Sequence, residues 1–288
     1  MSSVNEIKHR ISAVSQTKKI TAAMEMVSSN RMRKVMSHIE YNSTYFQYIR
    51  SAMDQLLSTT EEFEHPYLPG HSGTKRTYLV ISGDKGLCGS YNSNVVKFAK
   101  AELLAHPGSS LITLGNNAEE FFRREGMTPD MTMFGIVQDP TMKSARRIMR
   151  EIMNLYDTRL TDEVYVIYTS FFGQTKNQPV TLRLLPLELA DTPEKTDYNY
   201  SNAMEYFPDA RTVFDQIVPQ YILGLMFDVM VQAYAGEHFA RMNAMRSSTD
   251  NANDMLKSLQ IQYNMARQSA ITNEIAEITG ANEVLKER

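Results

Sequence analysis

The chain has 288 residues, of which 42% are apolar, enough for a hydrophobic core and too many for an intrinsically disordered protein. No run of 18 or more apolar residues occurs, which predicts that no segment spans a bilayer. The polar N-terminus lacks the apolar region of a secretory signal. Cys88 is the only cysteine, which excludes a disulfide within the chain and fits a reducing compartment.

The net charge of −3 is unevenly distributed along the chain. Residues 1–36 hold seven basic side chains and two acidic ones, whereas residues 188–215 hold seven acidic side chains and two basic ones. Such asymmetry is typical of partner-binding surfaces, although two solvated faces explain it equally well. Nucleic acid is not predicted as a partner, because no aromatic residues interleave with the N-terminal bases and the overall charge is negative.

Residues 4–57 are predicted to form one helix, because no Gly or Pro occurs before Pro66. In its second half, residues recur at alternating steps of three and four, the spacing of a coiled-coil seam: Met32, Val35, Ile39, Asn42, Phe46, Ile49, Met53 and Leu56. Val4, Ile7, Ile11 and Val14 follow the same rule in another phase. The stretch between the two groups predicts a slip of the seam near residues 15–31.

A second long helix is predicted over residues 210–286, which at 1.5 Å per residue is about 115 Å long. Its seam has the same spacing: Met242, Met245, Thr249, Ala252, Leu256, Leu259, Tyr263, Ala266 and Ala270. A second phase follows with Ile271, Ile275, Ile278 and Leu285. Each seam is too narrow for a globular core, so the two helices are predicted to pair antiparallel and bury both seams.

The residues between the long helices predict alternating strands and helices. Strands are predicted at 78–82, 111–114 and 164–171, helices at 91–105, 116–125 and 141–157, and a late edge strand within 178–187. The predicted fold class is therefore α/β: a long antiparallel coiled coil of the N- and C-terminal helices with a central open, Rossmann-like α/β domain. The predicted domains are 1–60, 75–190 and 208–288.

No catalytic or metal-binding set is complete in the sequence. The stretch GDKGLCGS at 83–90 follows a predicted strand, but its spacing is GxxGxxG, and residues 115–117 (GNN) lack the acidic ribose ligand of a dinucleotide site. Residues 237–238 (EH) lack the second His of a helical zinc site. Two classes stay open on these grounds: a mechanical coiled-coil protein, which is favoured, and a nucleotide-handling α/β protein with coiled-coil arms.

Four stretches resemble the gamma subunit of the bacterial type of rotary F-type ATP synthase. They are residues 7–36, 82–92 (SGDKGLCGSYN), 168–187 and 240–282. Within the last stretch, Ile271, Thr272, Glu274, Glu277, Gly280 and Ala281 fall on the family signature. Glu283 departs from it, since the family usually has a small or basic residue there, and the paired cysteines of chloroplast members are absent.

The resemblance implies a non-catalytic rotor shaft that couples rotation of a membrane c ring to conformational changes at the catalytic beta subunits. The implied partners are the alpha and beta subunits of the catalytic head, the epsilon subunit and the c ring. The membrane is reached only through the complex, at the cytoplasmic face of the bacterial cell membrane. No cofactor, metal or catalytic residue is implied for this chain.

The resemblance also implies roles for particular residues. Arg267, Gln268 and Thr272 match positions that engage a loop of the beta subunit. Glu205, Tyr206 and Asp209 match the family's foot, which faces the c ring. Above the seam, we expect Ile275, Ile278 and Leu285 to form an apolar bearing, because apolar contact has little directional preference and allows sliding.

Overall fold

The structure is a computed structural model that describes residues 4–59, 65–68, 73–171, 177–187, 207 and 209–286. Within the helices, the side chains of residues 37–47, 50, 54–59, 210 and 280–286 lie outside the description. The chain forms two compact units. One consists of Met1–Ser28 and Arg241–Arg288, and the other of Ser29–Ala240.

Both long helices are present, and their bounds agree closely with the predicted ones. Helix α1 spans Val4–Thr59 and helix α5 spans Ala210–Lys286. No Gly or Pro interrupts α1, whereas α5 continues through Pro219. The tertiary packing of a long apolar face therefore outweighs the backbone hydrogen bond that a proline removes from a helix interior.

In the first unit, α1 and α5 run antiparallel and pack against each other. Thr21 Oγ1 lies 2.7 Å from Thr249 Oγ1, and Arg246 Nε donates to Glu25 Oε1 over 2.9 Å. Later residues of α1 thus face earlier residues of α5, and the numbers of facing residues add to 270 or 271. The predicted antiparallel coiled coil is confirmed.

The predicted slip of the seam near residues 15–31 is wrong. Steps of three and four continue unbroken along α1 through this stretch, and Thr21 and Ser28, which stand at seam positions, are only 8% and 2% exposed. What changes is the chemistry of the seam, because small hydroxyl side chains take the place of aliphatic ones. Hydroxyl groups can be buried in this way when they are hydrogen-bonded.

The second unit contains a five-stranded sheet in the order β3-β2-β1-β4-β5. The strands are β1 (Arg76–Ile81), β2 (Ser110–Leu114), β3 (Met131–Met133), β4 (Glu163–Phe171) and β5 (Asn177–Leu185). The first four are parallel, and β5 is an antiparallel edge strand, as its prolines predicted. Helices α2 (Tyr91–Ala105), α3 (Asn116–Arg124) and α4 (Met142–Asp157) connect the parallel strands. The predicted open α/β domain is confirmed.

Both faces of the sheet are covered by apolar side chains, because successive residues of a strand point to opposite faces. Tyr78 and Val80 of β1 belong to one buried cluster with residues of α2 and α3. Leu79 and Ile81 belong to the other cluster, which includes residues of α4 and α5. Helix α5 is therefore a core helix of this unit along its first thirty residues.

Helix α5 is the one described helix whose length and composition are sufficient to cross a membrane. Within Arg211–Thr279, an 18-residue window has a mean hydropathy of 1.2, and 61% of that window is buried inside the protein. A core helix packed on a sheet meets the same criteria, so the window is weak evidence for a membrane span.

Candidate functional site

The C-terminal end of α5 extends beyond the level at which α1 begins. Because the numbers of facing residues add to 270 or 271, Val4 is level with residue 266 or 267 of α5. Helix α5 ends at Lys286, so its last twenty residues continue for about 30 Å past Val4. We call residues 267–286 the α5 extension.

Three of the predicted contact residues lie at the beginning of the α5 extension. Arg267, Gln268 and Thr272 are all exposed. The Thr272 hydroxyl donates to the Gln268 carbonyl oxygen over 2.9 Å, so it is used within the helix. None of the described residues forms an ion pair with Arg267. Its guanidinium is thus available to a carboxylate of another protein.

The α5 extension also presents large apolar side chains to solvent. Ile275 is 58% exposed and Ile278 is 70% exposed, and Ile271, one turn earlier, is exposed as well. The side chain of Leu285, the third predicted bearing residue, lies outside the described residues. No described residue buries this row of isoleucines, which indicates an interaction surface.

Exposed apolar residues continue down the coiled coil below the extension. Each of the following side chains is more than half exposed: Ile20, Met26 and Val27 on α1, and Met255, Ile261 and Met265 on α5. They alternate with charged residues of both helices. The rod therefore offers apolar contacts on several sides and at several heights.

The predicted seam residues differ in how far the structure describes them. Val35, Met245 and Leu259 are buried, and Met32, Ile49, Met242 and Leu256 are half-buried. Ile39 and Phe46 lie in α1, but their side chains are outside the description. The described seam side chains thus contact other parts of the protein, unlike the isoleucines of the α5 extension.

Of the three predicted foot residues, only Asp209 is described, since Glu205 and Tyr206 lie outside the described residues. Asp209 is exposed and stands directly before α5. Its carboxylate accepts hydrogen bonds from the Thr212 backbone N–H and from the Thr212 hydroxyl, each over 2.8 Å. These bonds hold the pKa of Asp209 below its usual value. Asp209 is therefore the N-cap of α5.

The glycine-containing turn after β1 is closed by its own side chains. Asn92 Oδ1 accepts from the Gly83 N–H over 2.8 Å, and Asp84 Oδ1 accepts from the Asn116 N–H over 3.0 Å. Ser82 Oγ accepts from the Ala118 N–H over 2.9 Å. The Gly83 N–H of the turn and two N–H groups of the first turn of α3 are thus already bonded to side chains of this chain.

Helix α5 fills the crevice where an open α/β sheet binds its ligand. That crevice lies at the carboxyl ends of β1 and β4, where the strand order reverses. The Tyr91 hydroxyl donates to the Ala233 carbonyl over 2.9 Å, and Gly236 packs against Thr169. The Glu237 carboxyl approaches so closely that a Cβ on Gly83 would lie 2.9 Å from its Cδ atom. The predicted nucleotide-handling alternative is not favoured.

A half-buried polar cluster between β4 and α5 was not predicted. Gln232 Nε2 donates to Asp228 Oδ2 over 2.6 Å, and the Ser170 hydroxyl donates to Gln232 Oε1 over 3.2 Å. Burial raises the pKa of Asp228, and burial together with the Asp228 charge raises the pKa of Tyr168 to about 12. The i,i+4 spacing of Asp228 and Gln232 within an apolar run was the available signal.

Comparison with known sequences places the whole chain in one family. A family model described as ATP synthase matches residues 3–285. The ATP synthase gamma chain of Acetivibrio thermocellus is 38% identical over 295 residues, covering 99% of this chain and 100% of that one. The gamma chain of Alkaliphilus metalliredigens is 37% identical over 289 residues, covering 98% of this chain and 99% of that one.

Solved structures show the same fold. A chain of the Euglena gracilis mitochondrial ATP synthase (OSCP/F1/c-ring) matches 98% of this chain and 94% of its own length, with a TM-score of 0.69 and 14% identity. A chain of the Tetrahymena thermophila mitochondrial ATP synthase (central stalk and c ring) matches 79% of this chain and 98% of its own length, with a TM-score of 0.58 and 20% identity. The chain therefore belongs to the ATP synthase gamma-chain family and is a non-catalytic shaft subunit of the rotor.

Proposed function

We propose that this chain couples rotation of a membrane c ring to the catalytic beta subunits of an alpha–beta ring that encloses its coiled coil. The observation that carries this proposal is the exposure of large aliphatic side chains along a rod, above all Ile275 and Ile278 on the α5 extension. Such a surface is unfavourable in water and favourable inside a ring of partner subunits. Because the surface differs from side to side, each beta subunit meets different contacts and is stabilised in a different conformation.

The chemistry of the α5 extension suits contacts that must form and break as the shaft turns. Arg267 can hold a carboxylate of a beta-subunit loop through two hydrogen bonds, with Gln268 and Thr272 beside it. An exposed ion pair contributes only about 0–1 kcal/mol, so it releases readily. Ile275, Ile278 and Leu285 form the bearing beyond it, since apolar contact has little directional preference.

At the other end of the shaft we propose contacts with the epsilon subunit and the c ring. Glu205, Tyr206 and Asp209 form the foot, where an acidic and aromatic segment suits a wet, polar contact. The functional division of the chain is 1–60 and 208–288 for the shaft helices and 75–190 for the α/β domain. The protein lies at the cytoplasmic face of the bacterial cell membrane, which it reaches only through the complex.

The test of the upper contact is the double substitution Arg267→Ala with Gln268→Ala in the assembled catalytic complex. We expect lower ATPase turnover with an unchanged helical circular-dichroism signal, because both side chains are exposed and no described residue pairs with Arg267. Arg267→Lys is the matched control, since it keeps the charge but loses the planar guanidinium. Its turnover should lie between that of the unsubstituted protein and that of the double alanine variant. Unchanged turnover in the double variant would show that these side chains carry no coupling.

The foot is tested separately by Glu205→Lys with Tyr206→Ala. We expect weaker assembly of the catalytic complex with the c ring, measured by co-sedimentation with c-ring vesicles. Assembly equal to that of the unsubstituted protein would remove these residues from the interface. Asp209 is left unchanged in this variant, because its loss disturbs the start of α5 as well.

A further inference from the structure

Among the described side chains of the coiled coil, a polar layer joins the two helices. Thr21 of α1 and Thr249 of α5 face each other with their hydroxyl oxygens 2.7 Å apart. On an adjacent turn, Arg246 donates to Glu25 across the same pair of helices. Thr21 is only 8% exposed, so this layer is part of the seam and not of the solvated surface.

The hydroxyl contacts are mutually consistent. A threonine hydroxyl has one proton and two acceptor lone pairs. Thr249 Oγ1 lies 2.9 Å from the Met245 carbonyl oxygen, and Thr21 Oγ1 lies 3.1 Å from that of Lys18. One hydroxyl therefore donates to the other across the interface, while the accepting hydroxyl donates to a carbonyl of its own helix. Both hydroxyls are thus hydrogen-bonded, with Thr21 buried and Thr249 half-buried.

The aliphatic part of the seam does not by itself define how far the helices are displaced along each other. A displacement by one heptad moves them by about 10 Å and brings seam positions into contact again. The polar layer breaks this equivalence. After a displacement in one direction Thr21 would face Met242 and Thr249 would face Val14, so the hydrogen bond between the helices would be lost. In the other direction Thr21 would face Leu256 and Thr249 would face Ser28. The Glu25–Arg246 ion pair would be lost in both directions. A polar seam residue is known to specify register in this way.

We propose that Thr21 and Thr249 form a register lock that holds the two helices of the coiled coil at one axial offset, with Glu25 and Arg246 supporting it at the rim. The lock fixes the length by which the α5 extension passes the level of Val4. It concerns contacts within the chain and is independent of the proposed function.

The lock is tested by measuring the axial offset in the full-length chain. Spin labels are attached at Lys19→Cys and Asn264→Cys, which are exposed positions, after Cys88→Ser has removed the native thiol. In the observed register the labels are displaced by about 20 Å along the helix axis. Pulsed electron paramagnetic resonance should give one narrow distance distribution.

Thr21→Val with Thr249→Val removes the lock and keeps the shape of both side chains. We expect a second population, or broadening, shifted by about 10 Å, which is the length of one heptad. Thr21→Ser with Thr249→Ser keeps both hydroxyls and should keep the single distance. Thr21→Val alone breaks the same hydrogen bond with a smaller change, so it provides the test should the double variant lose its helical signal. A single narrow distance in the valine variants, equal to that of the serine variant, would overturn the proposal.

Discussion

Substitution of the isoleucines of the α5 extension should weaken binding to the partner ring without lowering the stability of the chain. Replacing Ile by Ala removes about three methylene equivalents, each worth about 0.8 kcal/mol when it is transferred from water. Ile275 is 58% exposed and Ile278 is 70% exposed. Burial of these exposed fractions by a partner would therefore contribute about 1.4 kcal/mol at Ile275 and about 1.7 kcal/mol at Ile278 to the free energy of binding. The sum is an upper estimate of about 3 kcal/mol, which corresponds to about 100-fold in affinity.

The assay is a titration of the alpha–beta ring with the Ile275→Ala, Ile278→Ala variant. We expect an affinity that is weaker by up to about 100-fold, while the free energy of unfolding of the chain changes by less than about 0.5 kcal/mol. Leu259→Ala is the matched control. Leu259 is 6% exposed, so its truncation should lower the free energy of unfolding by about 2–5 kcal/mol. It should change the affinity for the ring only slightly, because little of the side chain is available to a partner.

The opposite distribution of effects would refute this reasoning. If Ile275→Ala and Ile278→Ala destabilise the isolated chain as much as Leu259→Ala does, the isoleucines are buried within the protein. If the ring binds the isoleucine variant with full affinity, the α5 extension is not an apolar bearing.

Three further predictions follow from the second unit and the start of α5. Gly115→Ala should lower the free energy of unfolding, measured by urea denaturation, by about 3 kcal/mol. At Gly115 φ is +98°, and the new Cβ would lie 2.3 Å from a backbone carbonyl oxygen. Gly108→Ala is the control and should lower it by about 1 kcal/mol, because φ is +86° there but the space around the new Cβ is open. Asp228→Asn should unfold at a higher temperature than the unsubstituted protein at pH 8 but not at pH 3. Asp209→Ala should lower the thermal midpoint, whereas Asp209→Asn, which still caps the helix, should lower it less.

The sign of the Asp228 effect follows from the direction of its pKa shift. Burial raises the pKa of Asp228 in the folded protein, so the unfolded chain releases this proton first as the pH rises above about 3.9. The carboxyl group therefore lowers stability progressively between that pH and its raised folded pKa. Asparagine has no proton to release and can still accept from Gln232. Equal pH dependence of the two proteins would show that the carboxylate is solvated.

Similar substitution costs at Gly115 and Gly108 would contradict the close approach at Gly115. For Asp209, a thermal midpoint unaffected by alanine would show that its hydrogen bonds to Thr212 do not stabilise the helix.

Elements whose apolar residues recur regularly were predictable from the sequence. Features that depend on side-chain hydrogen bonds were not. α1 and α5 have long seams, and both were placed within two residues of their observed ends. Strand β3 was missed, because three residues are too few to show alternation. The slip predicted near residues 15–31 was wrong, because Thr21 and Ser28 fill seam positions there and the burial of a hydroxyl such as that of Thr21 depends on a hydrogen-bond partner.

The candidate site shows the same limit. The resemblance to the gamma subunit identified Arg267, and the apolar pattern identified the isoleucines of the α5 extension. The structure adds that Val4, the first described residue of α1, is level only with residue 266 or 267 of α5. Asp209 was assigned to the foot from the resemblance, and its capping bond to Thr212 depends on where the helix begins. The polar cluster around Asp228 lies within an apolar run, where hydrophobic patterning carries no information about a buried carboxylate.

Rotation of the chain within the assembled catalytic complex tests the central claim most directly. A probe is attached at Ala101→Cys, an exposed position on α2, after Cys88→Ser has removed the native thiol. It reports the angle of the shaft while the alpha–beta ring is fixed to a surface. The proposed function predicts rotation in one direction that starts when ATP is added and stops when it is exhausted. ATP hydrolysis at the full rate with the probe at a fixed angle would contradict it.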